Sequence, residues 1–250
     1  MLSIIILTFN QKDITLRCLD SLDSYMRKHP DDEIVLVDNG STDSTTQGVI
    51  SRQYEWQTRL SIVNLPHNLG VAAGRNRGLL IAKGDILMLL DNDTLPACNA
   101  IETLVDYITA HPKVGILAPR LCDSAGHTQD SAKTFPGINV KLANVIGISK
   151  PTALPTNQVS HPCYVIGACQ LMRRETMEQV GFLDERIFYG PEDADYCLRI
   201  KNAGYSIDYL PSVSIIHDYR RLTTRNPFSR LARKHMCGLI YFWIKHRRII

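Results

Sequence analysis

The chain has 250 residues, of which 44% are hydrophobic and 21% are charged, and its formal net charge is +3. This composition is typical of a soluble globular protein with one large core, and the small net charge gives no reason to expect a nucleic-acid partner. The seven cysteines are odd in number and include no CxxC pair, which argues against a zinc site or a disulfide framework and favours reduced thiols in the cytosol.

Strands and helices alternate along the first 118 residues. Asn10 is the expected cap of the first helix. The order of elements predicts an α/β fold with a Rossmann-like, mostly parallel central sheet flanked by helices. Apolar patterning predicts strands over residues 3–8, 33–37, 60–64, 85–90 and 114–118, and helices over residues 14–27, 70–82 and 97–110, with another helix after the polar turn at 38–43.

The pattern changes after residue 118. Residues 123–162 show little periodicity and contain four prolines, which indicates a long, mobile segment. Regular structure is then expected again, as strands over residues 164–169 and 213–216 and as helices over residues 175–180 and 192–203.

An acidic turn, Asp91-Asn92-Asp93, follows one of the predicted strands. Ligands bind beyond the carboxyl ends of parallel strands, so this turn is a candidate site. Two carboxylates one residue apart can direct oxygens into one small volume, and a hard divalent cation such as Mg²⁺ or Mn²⁺ is their natural partner. Such a cation also neutralises a leaving diphosphate. The alternative is a solvated acidic turn or a helix N-cap formed by Asp93.

Two further candidates are Asp38 and Arg75. Asp38 ends a predicted strand, where it is suited either to accept hydrogen bonds from a base or a ribose hydroxyl or to close an Asx-turn. Arg75 lies among small residues, and its guanidinium matches the geometry of a phosphate. Its alternatives are a surface charge or an internal ion pair with Asp91 or Asp93.

Three carboxylates, Glu192, Asp193 and Asp195, open a predicted helix. The helix dipole favours acidic residues in a first turn, but three in four positions exceed what a cap needs. One of them is therefore a candidate general base for an acceptor hydroxyl. His217 follows the predicted strand at 213–216, where a neutral imidazole either completes a metal site or has a structural purpose.

Several motifs together resemble a known family. In chain order they are residues 8–10, residues 37–43, residues 68–70 with Arg75 and Asn76, residues 90–93 and residues 191–199. This set, spread over residues 3–220, resembles the family 2 inverting glycosyltransferases of the GT-A fold, in particular the bacterial polysaccharide and rhamnosyltransferase-like branch. The chain departs from many members at Asn39, where they carry a second Asp, and at Pro191, where they carry Trp.

The resemblance implies a role for each motif. The catalytic pair would be Glu192 and Asp193, with Asp193 as the general base. The cation, Mn²⁺ or Mg²⁺, would be bound by Asp93, Asp91 and His217. The nucleotide part of the donor would be held by Thr8, Asn10, Asp38, Arg75 and Asp91.

The implied activity is transfer of a sugar from a UDP, dTDP or GDP donor to a hydroxyl of a glycan or lipid-linked acceptor, in the synthesis of bacterial surface polysaccharide. One displacement without a covalent intermediate inverts the anomeric configuration. The resemblance further implies one catalytic domain over residues 1–220, with a donor-binding half at 1–118 and an acceptor half at 119–220.

Two other functions remain open at this stage. A sugar-1-phosphate nucleotidyltransferase usually needs a glycine-rich loop after the first strand, and residues 8–12 contain no glycine. A non-catalytic nucleotide-sugar-binding or membrane scaffold protein has no need of Asp91, Asp93 and Asp193 together.

The last part of the chain, residues 221–250, is basic and amphipathic. Nine Lys or Arg and no Asp or Glu follow Asp218, and the apolar segment 236–244 is shorter than the ~20 residues that span a bilayer. A terminal basic helix is expected here, which either packs on the domain or attaches the protein to the inner face of the cell membrane. The first residues lack the features of a signal peptide, so a cytoplasmic location is expected.

Overall fold

The structure, a computed structural model, describes residues 1–56, 58–135, 158–218 and 229–247. The strands are β1 (Leu2–Thr8), β2 (Glu33–Asp38), β3 (Arg59–Asn64), β4 (Ile86–Asp91), β5 (Thr94–Leu95), β6 (Val114–Cys122), β7 (Ala132–Lys133), β8 (Tyr164–Val165), β9 (Cys169–Arg173) and β10 (Ser206–His217). The helices are α1 (Lys12–Lys28), α2 (Thr45–Arg52), α3 (Val71–Ile81), α4 (Cys98–Ala110), α5 (Arg174–Val180), α6 (Glu192–Asn202) and α7 (Arg230–His246).

One large sheet organises the described residues, with the strand order β3-β2-β1-β4-β9-β6-β10-β5. Its first four strands are mutually parallel, and β6 and β10 run in the same direction, whereas β9 and β5 are antiparallel to their neighbours. The expected α/β fold with a mostly parallel sheet is therefore confirmed. A separate two-stranded sheet pairs β7 with β8.

Helices cover both faces of this sheet. The apolar sides of α1, α2 and α4 pack on one face, and those of α3, α5 and α6 pack on the other. Residues 4–6 of β1 and residues 34–37 of β2 are almost completely buried, because both of their faces are covered. Continuous apolar runs in the sequence thus identified central strands correctly.

The strand expected over residues 164–169 is wrong in its bounds. Two strands are present, β8 and β9, and residues 166–168 separate them. The longer strand, β9, inserts antiparallel between β4 and β6. This insertion is a long-range pairing, which an apolar pattern cannot specify.

Asn10 is not the cap of the first helix. Gln11 occupies the N-cap position of α1 and makes no capping hydrogen bond through its side chain. Asn10 has a φ of 52°, and its Oδ1 accepts a hydrogen bond from the backbone N–H of Thr42 at 2.7 Å. Its side chain therefore joins two loops at the edge of the sheet rather than ending a helix.

The two least regular segments of the sequence are described in part. Residues 136–157 of the long segment at 123–162 lie outside the described residues, as do residues 221–228 and 248–250 of the basic tail and the two residues before it. The described part of the tail forms α7, whose Phe242 packs against Ala194 and Leu198 of α6. In the part of the chain that the structure describes, no helix combines the length and the hydropathy needed to cross a membrane.

Candidate functional site

The carboxyl ends of β1, β2 and β4 meet at one edge of the sheet. Thr8 is in register with Asp38, and Leu7 is in register with Asp91. The sequence motifs that follow these strands are therefore neighbours in space, as expected from parallel pairing.

Neighbouring side chains of the acidic turn point in different directions. Asn92 is buried, and its amide donates hydrogen bonds to Thr15 Oγ1 at 2.9 Å and Thr8 Oγ1 at 3.3 Å. The hydroxyl of Thr94 closes the turn by donating to the carbonyl of Asp91 at 2.7 Å. The middle residue thus fixes the turn to the protein and leaves the flanking carboxylates available.

His217 reaches this turn through β10. Residues Thr94 and His217 are antiparallel partners, and the backbone N–H of Asp218 donates to the carbonyl of Asp93 at 2.9 Å. As a result, Nε2 of His217 lies 3.3 Å from Oδ1 of Asp93. Burial alone would lower the pKa of His217, but the carboxylates of Asp93 and Asp91 outweigh it and raise this pKa.

Asp91, Asp93 and His217 fit a divalent cation. Each offers one ligand atom, and these atoms lie within 4.8 Å of one another. Oδ1 of Asp93 is buried without a hydrogen bond of good geometry, which is costly for a carboxylate unless a cation satisfies it. Burial also raises the pKa of Asp91, although the charge of Arg75 opposes that shift. Carboxylate and imidazole ligands suit Mn²⁺, and carboxylates suit Mg²⁺.

A single buried guanidinium connects the acidic turn to the start of α6. Arg75 is 3% exposed, and its Nη2 donates to Asp91 Oδ1 at 2.6 Å and to the carbonyl of Gly167 at 2.7 Å. Its Nη1 lies 3.8 Å from Oε1 of Glu192. Of the roles expected for Arg75, the ion pair with Asp91 is present.

The three carboxylates at the start of α6 have different environments. Glu192 is buried, and burial together with the charge of Asp193 raises its pKa to about 7 against the opposing charge of Arg75. Asp193 is half-buried, and burial raises its pKa as well. Its Oδ1 accepts a hydrogen bond from the N–H of Ala194 at 2.7 Å.

Asp195 is a structural anchor. It is completely buried and accepts hydrogen bonds from Arg199 of its own helix at 2.9 Å and from Lys245 and His246 of α7 at 2.5 and 2.8 Å. Burial alone would raise the pKa of Asp195, but these cationic and imidazole donors lower it. Of the acidic cluster, Glu192 and Asp193 therefore remain as candidates for chemistry.

The predicted nucleotide-binding residues at the ends of β1 and β2 differ in exposure. Asp38 is buried, accepts a hydrogen bond from the N–H of Ser41 at 2.8 Å, and bonds the hydroxyl of Thr46. Thr8 is also buried, with its hydroxyl 2.7 Å from that of Thr15. Asn10 is exposed at the same edge.

Sequence reasoning missed three residues that shape this site. Asn39 accepts from the N–H of Leu69 and donates to the carbonyl of Gly70, so it holds the loop that leads into α3. Gly167 faces Arg75, and a Cβ at this position would overlap the guanidinium. Gln129 contacts His217. Asn39 belongs to the motif at residues 37–43, so a signal for it was present in the sequence. Gly167 and Gln129 lie outside all of the motifs, and no local pattern identifies them.

Comparison with known proteins identifies the family. Residues 3–181 match the family described as glycosyl transferase family 2. The chain belongs to this family. It is a glycosyltransferase, and the comparisons support neither the nucleotidyltransferase nor the scaffold alternative.

Two curated relatives of this family align with most of the chain. An N-acetylglucosaminyl-diphospho-decaprenol L-rhamnosyltransferase of Mycobacterium tuberculosis is 29% identical, over 85% of this chain and 75% of its own. Rhamnosyltransferase WbbL of Escherichia coli K12 is 26% identical, over 99% of this chain and 94% of its own. The family assignment thus agrees with the rhamnosyltransferase-like resemblance in the sequence.

A solved glycosyltransferase shares the fold. The mannosyltransferase of Pyrobaculum calidifontis, in complex with GDP-Man and Mn²⁺, superposes with a TM-score of 0.66 at 19% identity. The match covers 88% of this chain and 57% of the mannosyltransferase chain. The fold is therefore of the GT-A type.

Proposed function

We propose that this protein is a metal-dependent, inverting glycosyltransferase that moves a sugar from a nucleoside diphosphate to a hydroxyl of a lipid-linked or glycan acceptor in bacterial polysaccharide synthesis. The observation that carries the proposal is the position of Arg75, which contacts Asp91 and approaches Glu192. Arg75 thus connects two groups at one edge of the sheet. One is a cluster suited to a cation, and the other is a pair of carboxylates suited to acid–base chemistry.

The donor side of the site contains the three candidate metal ligands. Asp91, Asp93 and His217 would hold Mn²⁺ or Mg²⁺. When bound, such a cation stabilises the negative charge that develops on the leaving diphosphate. The GDP-Man and Mn²⁺ bound to the structural relative support this assignment.

Asp193 is the proposed general base. Its side chain is half-buried and so is open to an acceptor, whereas Glu192 is buried and faces Arg75. Asp193 accepts the proton of the acceptor hydroxyl, whose oxygen forms a bond to the anomeric carbon as the bond from that carbon to the diphosphate oxygen breaks. One such displacement inverts the anomeric configuration. The raised pKa of Asp193 favours its acceptance of a proton.

The remaining predicted residues shape the nucleotide site. Asn10 is exposed and is the residue we assign to direct contact with the nucleotide, while the buried Thr8 and Asp38 fix the loops around it. Arg75 is too buried for broad contact with a phosphate. We assign it to holding Asp91 and Glu192 in place.

A lipid-linked acceptor requires access to the membrane surface, and α7 carries a suitable face. Met236, Ile240 and Ile244 are 52%, 46% and 64% exposed and recur every four residues along one side of the helix. Arg233 and Arg247 are exposed near the two ends of this stripe, and α7 contains no acidic residue. Exposed apolar side chains with basic neighbours match an anionic leaflet, so we propose peripheral attachment through this face.

A donor panel tests the proposed reaction. The protein is mixed with UDP-, dTDP- or GDP-sugars, with and without Mn²⁺, and release of the nucleoside diphosphate is measured with a polyprenyl-diphosphate-linked sugar as acceptor. We expect one nucleotide class to be used, only with metal, and a product of inverted anomeric configuration. Transfer that persists in EDTA, or a product with retained configuration, contradicts the proposal.

A further inference from the structure

The imidazole of His217 is held on the side opposite to Asp93. Nδ1 of His217 lies 2.7 Å from Oε1 of Gln129, and Nε2 of Gln129 donates to the backbone carbonyl of His217 at 2.8 Å. Gln129 is itself fixed to the sheet, because its backbone N–H donates to the carbonyl of Leu121 at 2.8 Å. The amide side chain of Gln129 thus bonds both the ring and the main chain of His217, and these two contacts together form a clasp.

The two contacts of Gln129 favour a proton on Nδ1 of His217. A backbone carbonyl only accepts hydrogen bonds, so the amide nitrogen of Gln129 must face it and the amide oxygen must face Nδ1. Since that oxygen also only accepts, Nδ1 must donate. In the neutral Nδ1–H ring the lone pair is on Nε2, and Nε2 is the nitrogen that lies 3.3 Å from Asp93 Oδ1.

We propose that Gln129 is a positioning residue for metal binding, which holds His217 in the Nδ1–H tautomer and directs Nε2 toward the space shared with Asp91 and Asp93. The inference rests on the proposed function, because it takes His217 as a ligand. Metal-binding histidines generally donate their other N–H to a fixed acceptor, and loss of that acceptor typically weakens metal binding about 10- to 100-fold. Here the acceptor comes from the segment after β6, which the sequence assigned to the acceptor side.

Metal affinity in the absence of donor tests the clasp. The Mn²⁺ dissociation constant is measured by calorimetry for the wild type, Gln129→Met, Gln129→Glu and Gln179→Met. We expect Gln129→Met to bind about 10- to 100-fold more weakly, and Gln129→Glu, which keeps an acceptor for Nδ1–H, to stay within a few-fold of the wild type. Gln179→Met is the matched control. Gln179 lies on α5 and accepts a hydrogen bond from the hydroxyl of Tyr205, so this variant makes the same chemical change away from the site.

A spectroscopic measurement tests the tautomer directly. Long-range ¹H–¹⁵N spectra of metal-free, histidine-labelled protein are recorded at a pH where the ring is neutral, and the His217 signals are assigned by their loss in His217→Ala. We expect the Nδ1–H form in the wild type and in Gln129→Glu, and loss of that preference in Gln129→Met. An Nε2–H form in the wild type overturns the inference without the use of any Gln129 variant.

The two experiments separate this inference from the proposed function. If His217→Ala loses Mn²⁺ affinity but Gln129→Met does not, the clasp is overturned and the metal site stands. If His217→Ala binds Mn²⁺ as the wild type does, His217 is not a ligand, and both the clasp and that part of the proposed metal site are overturned.

Discussion

At the scale of single residues, the three members of the acidic turn differ in what they contact. Asp91 and Asp93 contribute to a cluster of three candidate ligands, while Asn92 between them bonds two buried threonine hydroxyls. A carboxylate at position 92 would bring a third negative charge into the buried interior. The amide at this position therefore stabilises a turn whose neighbours are both acidic.

Asp93→Ala should reduce transfer to about 1% of wild-type activity or less, because loss of one ligand removes several kcal/mol of transition-state stabilisation. Initial rates at saturating donor and Mn²⁺ measure this effect. Asp85→Ala is the control, since Asp85 is a highly exposed carboxylate just before the other end of β4. An Asp93→Ala enzyme with activity near that of the control contradicts the assignment of Asp93 to the metal.

Asp193→Asn should retain donor affinity but lower turnover roughly 10²-fold or more, which is the usual effect of losing a general base. Calorimetry with the donor and steady-state kinetics with the acceptor separate the two effects. Glu178→Gln, at an exposed position on α5, makes a comparable change outside the site. Loss of donor affinity with high residual turnover would instead identify Asp193 as a donor-binding residue.

At the scale of elements, α7 has two distinct sides. One side is tied to the start of α6, where Asp195 binds Lys245 and His246 and where Phe242 is completely buried. The other side presents Met236 and its apolar neighbours to solvent. A helix that only completed the core would not need large apolar side chains on its exposed side.

The exposed side of α7 should determine membrane binding. The triple variant Met236→Ser, Ile240→Ser, Ile244→Ser should lose most of its co-sedimentation with anionic vesicles, because burying each large apolar side chain contributes roughly 1.5–3 kcal/mol. The double variant Leu80→Ser, Ile81→Ser removes exposed apolar residues from α3 and should bind as the wild type does. If the intact protein does not co-sediment with anionic vesicles at low salt, α7 is not a membrane anchor.

At the scale of the whole molecule, the site depends on contacts between distant parts of the chain. Arg75 of α3 contacts Asp91 at the end of β4, the carbonyl of Gly167 before β9, and approaches Glu192 of α6. Burial of these charges makes the stability of the fold depend on pH. In this set, burial and the charge of Asp193 raise the pKa of Glu192 to about 7.

Stability should fall with rising pH because of Glu192. Its pKa rises from an ordinary value of 4.5 to about 7 on folding, so the folded state holds this proton more tightly than the unfolded state does. The stabilisation that comes from the proton on Glu192 is fully present below pH 4.5 and is lost as the pH rises through about 7. Each unit of such a shift corresponds to about 1.4 kcal/mol.

Urea denaturation of the wild type and Glu192→Gln, across this pH range, measures the effect. The neutral amide cannot ionise, so the stability of Glu192→Gln relative to the wild type should increase as the pH rises. Glu55→Gln, which makes the same change at an exposed carboxylate, is the matched control. Parallel pH profiles for the wild type and Glu192→Gln contradict a raised pKa for Glu192.

The sequence by itself determined the elements whose patterns are local. Apolar runs predicted the four parallel strands β1 to β4, and the polar residues that follow β1, β2 and β4 predicted which edge of the sheet carries the site. The structure confirms these elements and their parallel pairing. The strands β1, β2 and β4 are buried on both faces and therefore need continuous apolar runs, whereas β3 at the edge of the sheet is only partly buried. The roles of the individual site residues remain predictions.

The tertiary structure decided everything that depends on pairing over long distances. Strand β9 lies between β4 and β6, Asp195 bonds to α7, and Gln129 contacts His217. Asp193 and Asp195, two residues apart in one motif, have the same chemistry in the sequence and different environments in the fold. Burial, partners and charge come from residues far along the chain. No local pattern could therefore have distinguished the half-buried Asp193 from Asp195, which holds two helices together.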